Sequence, residues 1–183
     1  MSENTLETTI HEPSETADEA EMLLFSVDRS RAQFAWKVGG LDAAALNRAH
    51  PPSQMTLGGL IKHLAFVEDD VTARAFGWPA GVPWDPADWE ADPRWDWTSA
   101  AQDTPEELYA LWADAVARSR AAWERVRTEG LDGPARITFE GFTPNVRRIL
   151  VDLSDEYARH VGHADLFREA VDGLVGEDPP QPA

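Results

Sequence analysis

The sequence contains no cysteine among its 183 residues. This absence excludes disulfides, zinc ribbons and thiol nucleophiles on the protein itself, so that any metal site must be built from His, Asp and Glu. Basic residues are also scarce, because 16 Lys and Arg stand against 33 Asp and Glu, which gives a formal net charge of −17. A surface of that sign repels a polyanion, and we therefore expect no nucleic-acid partner.

Long apolar runs are missing as well. No stretch approaches the roughly 20 consecutive apolar residues that a membrane-spanning helix needs, and the N-terminus lacks the pattern of a signal peptide. We therefore expect no membrane association and a cytoplasmic protein. Hydrophobic residues make up 43% of the chain, which is enough to fill one core, and the length fits a single domain.

Both ends of the chain differ in composition from the middle. Residues 1–17 are acidic, contain no Lys or Arg and have few apolar side chains, which predicts a disordered head. Residues 176–183 include three prolines, which predicts a flexible tail. Residues 18–175 are left as the folded domain.

Four segments of the chain carry apolar residues at helical spacing. They run from about Asp18 to Val38, from Thr56 to Gly77, from Thr104 to about Trp123 and from Thr143 to Gly173. Thr104, Pro105 and Glu107 fit a capping box, and Thr143 with Pro144 repeats the threonine–proline start. Four such helices, with a long crossover between the second and the third, predict an all-α four-helix bundle.

The crossover, Trp78 to Asp103, holds five of the eight tryptophans in 26 residues. A connection of this length is uncommon unless it is functional or spans a bundle. The tryptophans fit two interpretations, an aromatic lid over a pocket and packing that closes the side of the bundle. We expect the acidic residues among them to form a solvated face: Asp85, Asp88, Glu90, Asp92 and Asp96. Residues 130–142 predict either a short strand or an extended connector.

Three of the five histidines fall on predicted helices, His63 on the second and His160 and His163 on the fourth. At about 100° per residue, His160 lies at about +40° and His163 at about −20° relative to Glu156. The three side chains therefore project from one face of the fourth helix. That face is continuous with the apolar stripe through Leu153, whose side chain we expect to point toward the core.

Two hypotheses explain these inward polar groups. Burying several ionisable groups in an apolar bundle costs several kcal/mol unless they are paired or bound to a metal. Ligands at i and i+4, or i and i+3, reach one ion, and an inward His on a facing helix completes the set. Without a metal, His63 would hydrogen-bond inside the core, Glu156 would pair with Arg159 or Lys62, and His163 would be partly exposed. The alignment of three groups with a facing His favours the metal.

Two sequence motifs resemble the DinB-like metalloenzymes. The first lies within residues 57–68 and contains LGGLIKHL and Glu68; the second lies within residues 156–173 and begins EYARHVGHADL. More closely, the motifs resemble an actinobacterial branch of unknown function that is related to the mycothiol-dependent enzymes. The resemblance covers roughly residues 17–173. Asp165 and Arg168, one turn or so past the ligand motif, are candidates for supporting the ligands.

The resemblance implies a divalent metal at one end of the bundle, zinc first and nickel as the alternative. Its ligands are one His of the second helix and a His-x-x-x-His or Glu-x-x-x-His pair of the fourth. His63 matches the first position, and Glu156 with His160 matches the Glu variant. The residue four positions after His160 is Ala164, so a His-x-x-x-His pair that starts at His160 is absent. His163 either replaces one ligand or adds a fourth.

The resemblance also implies an activity. Its characterised relatives carry out S-transfer or isomerisation with a low-molecular-weight thiol such as mycothiol or bacillithiol. Bound zinc lowers the pKa of a thiol, which gives a nucleophile that a cysteine-free protein cannot supply. We therefore predict a metal-dependent S-transferase or isomerase acting on a small electrophile, with no catalytic residue assigned. A non-catalytic bundle that binds a small molecule or protein is the alternative, and a purely structural dimer is a third hypothesis. Proteins with this fold often form homodimers.

Overall fold

The computed structural model describes residues 6–77, 84–85 and 87–181, which fold mainly into helices. The α-helices are α1 (Glu19–Val38), α2 (Ala43–Leu46), α3 (Leu57–Phe76), α4 (Trp95–Thr98), α5 (Pro105–Trp123), α6 (Val126–Glu129) and α7 (Val146–Asp172). A 3₁₀-helix (Ser99–Gln102) follows α4. The long helices α1, α3, α5 and α7 form the predicted all-α four-helix bundle. Within the described residues, no helix is long and apolar enough to cross a bilayer.

The crossover between α3 and α5 exists because these two helices run parallel. Near their starts, a Cβ on Gly58 would lie 3.4 Å from Leu108 Cδ1. Near their ends, Trp123 Nε1 donates to Thr72 Oγ1 at 3.2 Å. A chain that leaves the end of α3 must therefore return along the whole bundle before α5 begins, which is the reason for a long connection.

Local capping signals fix where the first three long helices begin. The side chains of Asp18, Thr56 and Thr104 accept hydrogen bonds from backbone N–H groups of α1, α3 and α5, respectively. Thr104 and Glu107 form the predicted capping box. These contacts satisfy backbone donors that have no partner inside the helix.

The predicted start of the fourth long helix at Thr143 is wrong by two residues. Asn145 is the N-cap, and its side chain accepts from Arg148 N at 3.0 Å. The carbonyl of Pro144 instead accepts from Ala135 N at 2.8 Å, so a tertiary hydrogen bond keeps this residue outside the helix. The predicted end at Gly173 is confirmed, with a φ of 81°.

A buried ion pair fixes α1 and α7 against α3. The Arg31 guanidinium donates to both oxygens of Glu68 at 2.7 and 2.6 Å, and Glu68 is fully buried. Tyr157 of α7 donates to the same carboxylate at 2.5 Å and accepts from Trp112 Nε1 at 3.0 Å. Burial and the Glu68 charge raise the pKa of Tyr157 well above its usual value. The hydroxyl therefore keeps its proton and its bond to α3.

The described residues before α1 and after α7 form no helix, and both segments contact other parts of the protein. Leu6 packs on the core, and Ile10 N donates to Gln181 Oε1 at 2.8 Å. In the tail, Asp178 accepts from Arg29 Nη2 at 2.7 Å. The division into head, domain and tail stays a prediction.

The connector before α7 is extended rather than a regular strand. Phe139 and Phe142 exchange two backbone hydrogen bonds of 2.8 Å across a tight turn, and their bridge stands alone. Of the two alternatives for residues 130–142, the extended connector is therefore the one that the structure contains.

Candidate metal centre

Three of the four predicted ligands meet between α3 and α7. One ligand atom each from His63, Glu156 and His160 lies within 4.8 Å of the other two. Glu156 Oε2 is 3.2 Å from His160 Nε2 and 3.8 Å from His63 Nε2. Two imidazole nitrogens and a carboxylate oxygen therefore converge on one point.

Helix geometry explains the convergence. Glu156 and His160 are four residues apart on α7, so they lie on the same face one turn apart. The bond between Tyr157 and Glu68 holds α7 against α3 on the side next to this face. Because α7 and α3 run in opposite directions, His63, which precedes Glu68, faces His160, which follows Tyr157. The imidazole centroids of the two histidines are 4.8 Å apart.

His163 lies next to the cluster but outside it. Its Nδ1 is 3.3 Å from Nδ1 of His160, and its ring stacks on Phe167 at a centroid distance of 6.5 Å. Burial lowers the pKa of His163, and the nearby charges of His160 and Arg159 lower it further. The structure therefore places His163 against the far edge of His160, away from Glu156.

Asp96 is the residue of this site that the sequence analysis missed. The prediction that it belongs to a solvated face is wrong, since it is only 4% exposed. Its Oδ2 accepts from His63 Nδ1 at 2.6 Å. Asp96 sits on the four-residue helix α4, where no periodic pattern could mark an inward position. Of the other acidic residues in this group, Asp85, Asp88 and Glu90 are exposed as predicted, and Asp92 is partly exposed.

The tryptophans of the crossover divide between the two interpretations offered for them. Trp97 stacks on His63 at 4.2 Å between ring centroids, which makes it part of the wall of the site. Trp84 and Trp89 each contact Trp95, and both pack on Phe66 of α3. This second group closes the side of the bundle. Trp78 lies outside the described residues.

The approach of Trp97 depends on a glycine. A Cβ on Gly59 would lie 3.2 Å from Trp97 Cε3 and equally close to Thr56 Oγ1. Gly59 is one turn before His63 on α3, so the missing side chain leaves room for the indole on the histidine. The sequence motif around His63 therefore contains a residue that shapes the wall as well as a candidate ligand.

Charge in the cluster is that of a cation site. The neighbouring imidazoles of His160 and His63 hold the pKa of Glu156 well below its usual range, so this group is a carboxylate at neutral pH. Burial lowers the pKa of His63, but the hydrogen bond to Asp96 and the nearby Glu156 carboxylate outweigh burial and raise the pKa overall. The carboxylates of Asp96 and Glu156 thus favour a positive charge at the site between them.

Other polar residues near the motif have structural partners. Lys62 pairs with Asp103 at 2.5 Å and so does not neutralise Glu156. Asp165 pairs with Lys37 at 3.0 Å, and Arg168 donates to the carbonyls of Lys37 and Gly39. The suggestion that Asp165 and Arg168 support the ligands is therefore wrong. They tie α7 to the end of α1.

The donor set fits a divalent metal. Two histidine nitrogens and one carboxylate oxygen form a set that zinc uses in catalytic sites, where three protein ligands leave a further position open. The side chain of Glu156 is 33% exposed while that of His160 is 8% exposed, so the cluster is open on the Glu156 side and closed toward the core. The cluster is therefore in contact with solvent through Glu156.

Comparison with known proteins agrees with the fold. A crystal structure of a conserved protein from Enterococcus faecalis superposes with a TM-score of 0.62 at 16% identity, covering 87% of this chain and 100% of that one. No curated protein matches the chain. The profile of the mycothiol-S-transferase family matches residues 22–173, a span that begins within α1, ends just after α7 and contains all four predicted ligands. The chain belongs to the mycothiol-S-transferase family, a DinB-like family.

Proposed function

We propose that this protein is a divalent-metal-dependent S-transferase that joins a low-molecular-weight thiol of the mycothiol type to a small electrophile. His63, Glu156 and His160 are the proposed metal ligands, with zinc as the first candidate ion and nickel as the second. Transfer takes precedence over isomerisation because the matching family is one of transferases.

The convergence of two Nε2 atoms on one oxygen of Glu156 carries this proposal. Such a cluster, half closed by the core, is costly to maintain without a cation. When bound there, a divalent cation supplies Lewis acidity, which lowers the pKa of a thiol that reaches it. No cysteine of the chain competes for this role.

The residues of the chain have separate tasks in the reaction. His63, Glu156 and His160 hold the cation, and Trp97 shields His63 from water on one side through their stacking contact. The thiol sulfur attacks the electrophilic carbon, a carbon–sulfur bond forms, and the bond to the leaving group breaks with its electron pair. The thiol proton is lost to solvent through the exposed side next to Glu156.

A conjugation assay tests the proposal. Purified protein loaded with zinc is incubated with mycothiol and a panel of epoxides and halogenated aromatics, and the thioether product is measured by mass spectrometry. We expect product formation above background, reduced to background in folded His63→Ala and His160→Ala variants. His11→Ala is the matched control, because His11 is exposed and lies outside the cluster. Metal binding without turnover of any thiol and electrophile pair would favour the non-catalytic binding module instead.

The expected partners are small molecules, the thiol and its acceptor. Formation of a homodimer stays a prediction, and sedimentation of the purified chain tests it.

A further inference from the structure

Both imidazoles of the candidate metal centre present the same nitrogen to Glu156. Nε2 of His63 and Nε2 of His160 face the carboxylate, while each Nδ1 points to a different neighbour. A histidine that binds a metal through Nε2 must carry its remaining proton on Nδ1. The neighbours of the two Nδ1 atoms therefore decide whether this arrangement is favoured before any ligand arrives.

Asp96 is the neighbour of His63. Its Oδ2 lies 2.6 Å from Nδ1, whereas Glu156 lies 3.8 Å from Nε2. The shorter contact is a charge-assisted hydrogen bond in a buried setting, and the longer one is beyond normal hydrogen-bond length. A neutral His63 therefore keeps its proton on Nδ1, and the Nε2 lone pair faces Glu156.

His163 takes the corresponding place beside His160. Its Nδ1 lies 3.3 Å from Nδ1 of His160. A hydrogen bond between these two nitrogens needs one donor and one acceptor, so only one of them can carry a proton. When Nε2 of His160 is used as a ligand, the ring proton of His160 stays on Nδ1, and Nδ1 of His163 accepts the hydrogen bond.

The position of Asp96 is itself built by contacts of the crossover. Lys62 of α3 pairs with Asp103, just beyond the 3₁₀-helix, and lies over the ring of Trp95 at 4.5 Å. Trp97 stacks on His63 from the same helix. These contacts seat α4 on α3, and they place the Asp96 carboxylate at the buried edge of His63.

We propose that Asp96 and His163 are positioning residues that hold His63 and His160 as Nε2 ligands, an inference that rests on the metal site of the proposed function. Neither residue binds the metal. Carboxylates and other acceptors on the second nitrogen of a ligating histidine fix its tautomer and ring orientation. The crossover segment thus takes part in metal binding through a residue that never touches the ion.

Zinc affinity and ring tautomers test this assignment. Affinity is measured by competition with a chromophoric chelator, and the tautomers are read from two-bond ¹H–¹⁵N spectra of the histidine rings. We expect Asp96→Ala to weaken zinc binding about 10- to 100-fold, with the fold retained by circular dichroism and a smaller loss in Asp96→Asn. Asp92→Ala is the matched control, because Asp92 bonds Arg94 and Thr98 near α4 without touching His63. Its zinc affinity should equal that of the wild type.

The spectra separate the failure of this assignment from failure of the proposed function. We expect neutral His63 of the metal-free wild type to carry its proton on Nδ1 and to lose this preference in Asp96→Ala. This reading does not depend on metal binding, so it decides the role of Asp96 even if the wild type takes up no zinc. A His63 proton on Nε2, or unchanged affinity in Asp96→Ala, would overturn the role of Asp96.

Cadmium-113 tests the role of His163. In the ¹¹³Cd-loaded protein, we expect scalar coupling of the metal to the rings of His63 and His160 and none to His163. We also expect His163→Ala to bind the metal more weakly without changing which residues are coupled. Coupling to His163 would make it a ligand and overturn its assignment as a positioning residue.

Discussion

Arg31→Met should destabilise the bundle more than the loss of any exposed arginine. Arg31 is 3% exposed and donates two hydrogen bonds to the fully buried carboxylate of Glu68. Methionine keeps an unbranched apolar stem and has no charge, so the substitution removes the counter-charge and leaves part of the space filled. Glu68 would then keep Tyr157 as its hydrogen-bond donor, but no cation.

The expected magnitude follows from this burial. Removing one partner of a buried ion pair costs about 3 to 5 kcal/mol, because the other charge stays buried without compensation. The free energy of unfolding of a domain is about 5 to 15 kcal/mol, so Arg31→Met should lose a large share of it. The double variant Arg31→Met/Glu68→Met should be more stable than Arg31→Met alone, because it buries no unpaired charge at this position.

Urea denaturation followed by circular dichroism measures these differences, and a constant slope with denaturant verifies that the variants unfold as the wild type does. Arg148→Met is the matched control. Arg148 pairs with Asp152 at 2.8 Å, but its side chain is 68% exposed, and exposed pairs contribute at most about 1 kcal/mol. If Arg31→Met lost no more stability than Arg148→Met, or if the double variant were less stable than Arg31→Met, the reasoning would be refuted.

Three other predictions concern glycines, pH and the metal. Gly162→Ala should raise the free energy of unfolding by about 0.5 to 1 kcal/mol, since an added Cβ in α7 meets no atom within 4 Å. Gly59→Ala should raise the free energy of unfolding by less, because its Cβ would press on Trp97. Equal urea midpoints for the two variants would contradict this prediction. Burial raises the pKa of Asp28, but Arg31 and a second guanidinium lower it overall. The ionised Asp28 carboxylate therefore stabilises the fold above the unfolded-state pKa of about 3.9, and this contribution is lost as the pH falls through the pKa of Asp28 in the folded state. The stability difference between wild type and Asp28→Asn should shrink in acid, and a constant difference in pH-dependent urea unfolding would argue against it. Chelation should abolish conjugation and added zinc should restore it; activity that survives full removal of metal would disprove the metal requirement.

The helices were predictable because their signals are local. Periodic apolar residues and caps such as Thr56 and Thr104 act within one or two turns. The start of α7 was misplaced because Thr143 and Asn145 are both good caps, and a tertiary bond between Pro144 and Ala135 selects the second. Sequence spacing alone does not contain that contact.

In the candidate site, too, some residues are predictable from local sequence and others depend on tertiary contacts. Glu156 and His160 share a helix face by spacing, and the motif around His63 supplies the third member. Asp96 is 33 residues from its partner His63 and lies on a helix of four residues. Its inward position is produced by the docking of the crossover on α3, which no local pattern encodes.

Metal content of the purified chain tests the central claim most directly. Untagged wild type, His63→Ala, His160→Ala and the control His11→Ala are loaded with zinc, freed of excess metal and analysed by inductively coupled plasma mass spectrometry, after circular dichroism has shown that each is folded. We predict about one zinc ion per chain in the wild type and in His11→Ala, and loss of the ion in both other variants, because each removes one of three protein ligands. A wild type that retains no metal after loading with zinc or nickel, or variants that retain as much as the wild type, would contradict a metal centre built by α3 and α7.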